Sequence, residues 1–201
     1  MTTKRFFKSA IAFALVFAGL SASAGEFYEL KTYSLKAAKQ PVLDEYLGKA
    51  YIPALKKLGI GPVGVFTENG SNDTVFVYVL TVLSSPSEIA ELPAKLAADA
   101  DYKKAAASYL EAKAADPVYD RIETSISAAI EGMPHIAKTD TTKPRIINLR
   151  IYESHNERAH AKKVEMFNTA ELPIFRKDGL TPLLFGSTIA GSKTPVIPML
   201  T

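Results

Sequence analysis

Two short segments carry most of the chemical potential of this sequence. Tyr28-Glu29-Leu30-Lys31-Thr32-Tyr33 sets Glu29, Lys31 and Tyr33 at every second position. Ile147-Asn148-Leu149-Arg150-Ile151-Tyr152 does the same with Asn148, Arg150 and Tyr152. Alternate side chains of an extended strand share a face, so each triplet would project together. A cation, a phenol and a carboxylate or amide on one surface can orient a small anionic or aromatic ligand. The same groups could move a proton on an enolisable or phenolic substrate. They could equally neutralise one another as a buried network, Glu29 with Lys31 or Arg150, because structural ion pairs resemble sites. The structural reading is preferred.

Other motifs point to less. Gly59, Gly61 and Gly64 match the dinucleotide fingerprint in letters. That fingerprint needs a strand before it and a helix after it, so that phosphate meets a helix N-terminus. Here a helix precedes and a strand follows, so a helix cap and a turn are expected. His135, His155 and His160 lack the spacing and companions of a zinc or haem site. They are expected to be exposed or near a helix start. No G-x-S-x-G elbow is present. Arg158, Lys162 and Lys163, mixed with Glu157 and Glu165, read as a solvated helix face. No metal and no cofactor are expected, and no catalytic motif is identified.

The elements that must hold these residues repeat. The Tyr28–Tyr33 and Ile147–Tyr152 segments match at an offset of 119, and the offset then becomes 120. Pro53, Lys57, Gly59 and Pro62 fall on Pro173, Lys177, Gly179 and Pro182. Thr74, Leu80 and Thr81 fall on Thr194, Leu200 and Thr201. A match in fixed register at such a period marks a duplicated unit. Each copy reads as a strand (27–35; 146–153), a helix (40–58; 157–178) and a hairpin (63–67 with 74–83; 183–188 with 195–201). Leu43, Leu47, Ala50 and Ala54 give the first helix its apolar stripe. Pro53 and Pro173 inside the helices predict kinks. Copy one continues through a capping box at Ser85–Glu88, helical pieces over 87–115 and a strand over 118–127.

The order β-α-β-β-α-β is ferredoxin-like. The expected fold is α+β: tandem ferredoxin-like repeats in a dimeric α/β-barrel-type arrangement. Residues 25–131 form the first repeat, 132–144 a polar linker, and 145–201 a second repeat without its last helix and strand. Tyr28, Leu30 and Thr32 are expected to pack on helices. Glu29, Lys31, Tyr33, Asn148, Arg150 and Tyr152 are expected to line the barrel interior. The first strand of the second repeat keeps an unpaired side, which predicts self-association or a mobile C-terminal half.

Lys4, Arg5 and Lys8, the apolar run 10–20 and Ala22-Ser23-Ala24 form a three-part export leader. The run is too short to span a bilayer. Cleavage near Ala24 and a periplasmic or secreted location follow as expectations. The leader holds three of the 24 basic residues and none of the 21 acidic ones, so the remainder is electrically neutral. A nucleic-acid binder's electrostatic footprint is therefore missing. With no cysteine, the fold must rest on its core alone.

The residues also resemble the NIPSNAP family. The resemblance lies in Tyr28–Tyr33, Ile52-Pro53-Ala54-Leu55 and Gly59–Phe66. It continues in Leu149–Ser154, Glu165-Met166-Phe167-Asn168 and Phe175–Pro182. It implies the tandem barrel fold and little about activity. The expected function is a periplasmic ligand-binding or protein-interaction module, with a small molecule as the possible ligand. The alternative is a small cofactor-free monooxygenase-like enzyme using the barrel interior.

Overall fold

Strand β1 (Phe27–Lys36) occupies the centre of the first unit because its two faces are both destined for burial. The computed structural model describes residues 25–70, 72–138, 142 and 146–201. The segment expected to be an export leader lies outside them. After β1 come a 3-10 turn, α1 (Gln40–Tyr46), a π-helical stretch Leu47–Tyr51 and α2 (Ile52–Lys57). The hairpin β2 (Val63–Thr67) and β3 (Thr74–Leu83) follows. Then come α3 (Ser87–Ala98), α4 (Ala100–Ala105), α5 (Ala107–Leu110) and β4 (Arg121–Ala129). The second unit runs β5 (Leu149–Glu153), α6 (Glu157–Met166), a π-helical stretch Phe167–Glu171 and α7 (Leu172–Lys177). It ends with β6 (Leu184–Ala190) and β7 (Val196–Leu200).

The strands form one sheet in the order β2-β3-β1-β4-β6-β7-β5. Every pairing is antiparallel. The first four strands have the ferredoxin-like order, and the last three repeat its β2-β3-β1 part. Helical side chains from Leu43 to Ala106 pack with Tyr33, Val77 and Val79 on the outer face of the first unit. Phe167 and Leu172 pack with Phe185, Ile197 and Met199 on the outer face of the second. The inner face has its own cluster. Tyr28, Leu80 and Val82 meet Leu183, Leu184 and Leu200, with no helical residue among them. Leu149 of β5, at one end of the strand order, joins Leu80 of β3, near the other end. Only a curled sheet allows that. The fold is therefore the tandem ferredoxin-like, dimeric α/β-barrel type, with three strands in its second unit among the described residues.

The seam between units is β4 on β6, with Ser127 opposite Thr188 and Ala129 opposite Gly186. Ser127 and Thr188 join hydroxyls at 3.0 Å, both buried. A Cβ at Gly186 would lie 2.8 Å from the Ser127 Cβ, so close strand approach requires glycine there. The segment after β4 packs tightly, including Met133 of the stretch expected to be a polar linker. Ile130 and Met133 are buried in the second unit's outer core. Glu26 holds the segment by accepting from the Ile136 amide at 2.6 Å.

The internal prolines act through π-turns rather than simple kinks. The Ile52 amide donates to Leu47, five residues back, and Leu172 donates to Phe167 in the same way. The wider turn makes room for Pro53 and Pro173, whose rings would otherwise meet the carbonyl four residues earlier. Both helices end alike. The Ile60 amide donates to Leu55 and that of Gly59 to Lys56; Leu180 donates to Phe175 and Gly179 to Arg176. That is the Schellman pattern, and it sets Gly59 and Gly179 at φ 72° and 75°. The capping box is half formed: Glu88 accepts from the Ser84 and Ser85 amides, at 2.9 and 3.5 Å.

No atom lies within 4 Å of a Cβ added at Gly59 or Gly179. Alanine there changes backbone strain alone. Gly59→Ala and Gly179→Ala should each cost about 1–2 kcal/mol in urea melts. An unchanged midpoint would refute the cap assignment.

Candidate functional site

The faces of β1 are the reverse of the expectation. Glu29, Lys31 and Tyr33 point outward under the helices, and Tyr28 and Leu30 point into the concave side. The second unit is built the same way. Tyr152 packs on Phe167 of the helical segment, ring centroids 5.4 Å apart, and Lys163 Nζ sits over its ring at 4.9 Å. Arg150 Nε donates to Asn148 Oδ1 at 3.4 Å on an exposed stretch of the same face. The six residues expected to share an interior are therefore two separate triplets on the helix-facing surfaces of different units. The physical reason is that both faces of a curled sheet are covered, one by helices and one by the sheet itself. The polar group Lys31 of β1 finds a partner in the helical Tyr51, whereas Tyr28 and Leu30 join the apolar cluster of the inner face.

The first triplet is a nearly closed polar network. Glu29 is 3% exposed. Lys31 Nζ lies 3.2 Å from Glu29 Oε2 and donates to the Tyr51 hydroxyl at 3.3 Å. Burial opposes the lysine charge, yet Tyr51 and Glu29 together hold its pKa above the ordinary value. Around them lie Tyr33, Tyr46, Tyr102, Tyr109 and Tyr119. Tyr46 stacks on Tyr109 at 3.7 Å and shares a hydroxyl contact of 3.0 Å with Tyr102. Burial pushes the Tyr33, Tyr46, Tyr51 and Tyr109 hydroxyls upward, so none supplies a phenolate at neutral pH. This arrangement orients α1, the π-stretch, α4 and α5 on the sheet. It offers no free acid, base or nucleophile.

The concave side holds a different set. Register places Ser34 between Phe76 and Arg121, and Thr32 between Tyr78 and Glu123. These six share the inward face by alternation with Leu80 and Ser127. One end of that face is the apolar cluster; these residues form the other end, its polar mouth. Arg121 and Glu123 are exposed, and their side chains make no hydrogen bond or ion pair among the described residues. The Tyr78 hydroxyl donates to Glu68 at 2.6 Å. Burial, then that carboxylate, raises its pKa to about 12. Phe76 is 37% exposed. An aromatic pair beside a guanidinium and a carboxylate suits a small ligand with a ring and a polar end. The sequence carries part of the signal, since Phe76 and Tyr78 alternate on β3, but the residues they meet across the sheet are set by the β1–β3 and β1–β4 registers.

Two cavities lie at opposite ends of β3. One, about 240 Å³, opens at the β2–β3 turn between Gln40, Glu68, Asn72 and Phe76. The other, about 330 Å³, lies over Gly59–Val63 with Ile52 and Lys56. It coincides with the glycine motif, which follows α2 and precedes β2, opposite to a dinucleotide fingerprint. His160 Nε2 lies 2.7 Å from Ser187 Oγ, tying α6 to β6. Its Nδ1 is buried without a hydrogen-bond partner. Among the described residues no cluster of three metal-ligating side chains occurs, and no helix is long and apolar enough to cross a membrane.

No family model matches the sequence, and no curated protein does. The fold is similar to a crystal structure from Fusobacterium nucleatum. That protein bears the name "putative monooxygenase". The TM-score is 0.55 at 10% identity, over 88% of this chain and 75% of that one. At that identity the likeness shows the fold alone.

Two predictions follow from the buried groups. Lys31→Met strands the Glu29 carboxylate under the helices and should cost about 3 kcal/mol in urea melts. Adding Glu29→Gln should restore most of it, whereas a single variant as stable as the parent would contradict the network. Burial lowers the His160 pKa from its ordinary 6.5. Its contribution to stability is therefore complete above pH 6.5 and falls as pH drops toward the depressed folded value. Thermal melts across pH 7.5 to 5 should show a decline that shrinks in His160→Gln; an identical decline in both chains would exclude His160 as its source.

Proposed function

We propose that this protein is an exported binding module of the NIPSNAP type, acting in the periplasm, whose ligand site is the polar mouth of the concave sheet. The observation that carries the reading is that register sets Arg121 and Glu123, unpaired among the described residues, level with Phe76 and Tyr78 on the same face, on the two strands that flank β1. Most charged groups gathered inside the fold are satisfied, as Glu29 and Lys31 are. Unspent charge beside an aromatic surface is what small-molecule recognition uses. The resemblance of both repeats supports the family, and the three-part leader supports export.

A second reading is a small cofactor-free monooxygenase-like enzyme using the same concave side. The fold likeness to the Fusobacterium protein favours it. It is an argument by fold, and fold does not fix chemistry. We also infer that chains associate through the open edge of β5, whose described pairing is to β7 alone.

The test begins with mass spectrometry of small molecules that co-purify with the full chain. The chain is then titrated with a panel of aromatic carboxylates, followed by ligand-detected NMR. Arg121→Ala should weaken the best ligand about tenfold, roughly 1.4 kcal/mol. Lys103→Ala, on α4, should leave it unchanged. Equal binding by Arg121→Ala and the parent would remove the mouth as the site. Turnover of a bound phenolic compound in air would favour the enzyme reading.

A further inference from the structure

The duplication exposes what the second unit leaves uncovered. In the first helical segment Tyr46, Ala50 and Ala54 are 6%, 2% and 4% exposed. They lie against α4 and α5, where Tyr46 meets Tyr102 and Tyr109. The residues 120 positions later are Met166, Ala170 and Ile174. Met166 is 40% and Ile174 53% exposed, and Ala170 is exposed between them. Spaced by four, they form one ridge along the helical segment. In the first unit Tyr109 of α5 stacks on Tyr119, just before β4, so the matched ridge of the second unit looks toward the side on which β5 has its open edge.

We infer that the occupant of this surface is a second copy of the chain, related by a twofold axis through Ile151. The inference rests on the reading that chains associate through the β5 edge, and it specifies how. On β5 the Asn148 and Ser154 amides donate to Thr201 and Pro195 on the β7 side. By alternation the backbone groups of Leu149, Ile151 and Glu153 face the open side. An antiparallel pairing centred on Ile151 sets Ile151 against its copy and Leu149 against the copy's Glu153. These are the residues whose amides and carbonyls are free to exchange hydrogen bonds. Ile151 is 46% exposed and would be covered by its own counterpart. On the outer face Arg150 falls opposite the copy's Tyr152, a pairing that allows cation–π contact.

Dimensions and charge agree with the same axis. Strands lie about 4.8 Å apart and helices about 8–10 Å, so one helix covers two strands. The helical segment of each copy covers its own β5 and β7, which brings the two segments side by side. Tyr152 packs on Phe167, and Lys31 and Tyr51, matched to Arg150 and Glu171, touch each other. Ile151 is thus level with residues 167–171, so the axis passes near Ala170. Antiparallel helices centred there place Met166 against the copy's Ile174, with the small Ala170 at the crossing. Lys162 meets the copy's Asp178, an attractive pair at each end. The sheet continues from one copy into the next.

Sedimentation velocity of the full chain across a concentration series tests this. Expected are a concentration-dependent dimer, weakened at least about tenfold by Ile151→Lys and by Ile174→Lys. Both variants should keep the parent's circular dichroism and cooperative melt. The chain has no cysteine, so Ala170→Cys supplies a sole thiol. It should give a covalent dimer with a short bismaleimide, and Lys113→Cys should not. A dimer broken by Ile151→Lys but indifferent to Ile174→Lys, with no Ala170→Cys cross-link, would keep the edge reading and overturn the twofold helix packing. A monomer at every concentration, or a dimer indifferent to Ile151→Lys, would overturn both.

Discussion

The structure depends on one constraint: a small antiparallel sheet with helices on one face must hide its other face from water. Here two related sheets hide theirs against each other. Tyr28, Leu80 and Val82 of the first unit and Leu183, Leu184 and Leu200 of the second form a single inner cluster. Fully burying a residue of this kind contributes about 1.5–3 kcal/mol, so the inner cluster alone outweighs most of the polar contacts between the units. The β4–β6 seam supplies register rather than the main attraction. Small residues at that seam let the strands approach, and the Ser127–Thr188 hydroxyl pair satisfies two groups that would otherwise be buried unbonded.

Closing the inner face decides what happens on the outer one. Once Tyr28 and Leu30 are committed inward, Glu29, Lys31 and Tyr33 must lie beneath helices. Burying a carboxylate and an ammonium is costly unless both are paired and hydrogen-bonded. The first unit meets this with Tyr51, presented by the π-turn that Pro53 makes necessary. In the second unit the matched positions are Asn148, Arg150 and Glu171, and the equivalent surface stays open to solvent. The cover differs too: α4 and α5 shield the first helix, and no described helix shields the second.

Much of this architecture was legible from residues. The fixed offset of 120, the glycine caps and the proline positions gave element order, the duplicated unit and the barrel type. Alternation separated the faces of β1 but did not say which was inside. The assumption that polar means interior and apolar means helix-facing failed, because in a curled sheet the helix-covered face can hold charge when the helices bring phenols to it. Tyr46, Tyr51, Tyr102 and Tyr109 on the helices were the available signal: phenols on a buried stripe need polar partners, and Lys31 and Glu29 were the candidates in reach. Arg121 and Glu123 escaped notice because their meaning depends on the β1–β4 register, a pairing between residues about 90 apart in sequence that no local pattern encodes. The packing of Met133 was not legible for a related reason. A segment rich in Gly and Pro reads as a connector, while its few apolar side chains act only once the second unit's core is in place.

The inner face therefore divides by duty. Its apolar end holds the two units together, and a polar substitution at Leu80 or Leu184 would carry the desolvation penalty of a core position. Its polar end, from Thr32 and Ser34 across to Arg121 and Glu123, contributes little to that attachment, because exposed charges without partners add little to folding. Residues free of a structural duty are the ones that can be shaped by a ligand at low cost to the fold. The same reasoning applies outside. Met166, Ala170 and Ile174 keep the apolar character of their matched positions although no described helix covers them, and apolar surface left bare on a soluble face is costly in water. Both the mouth and the ridge thus lie where the fold's own demands are weakest, and a partner, small or large, is what gives their side chains a physical role.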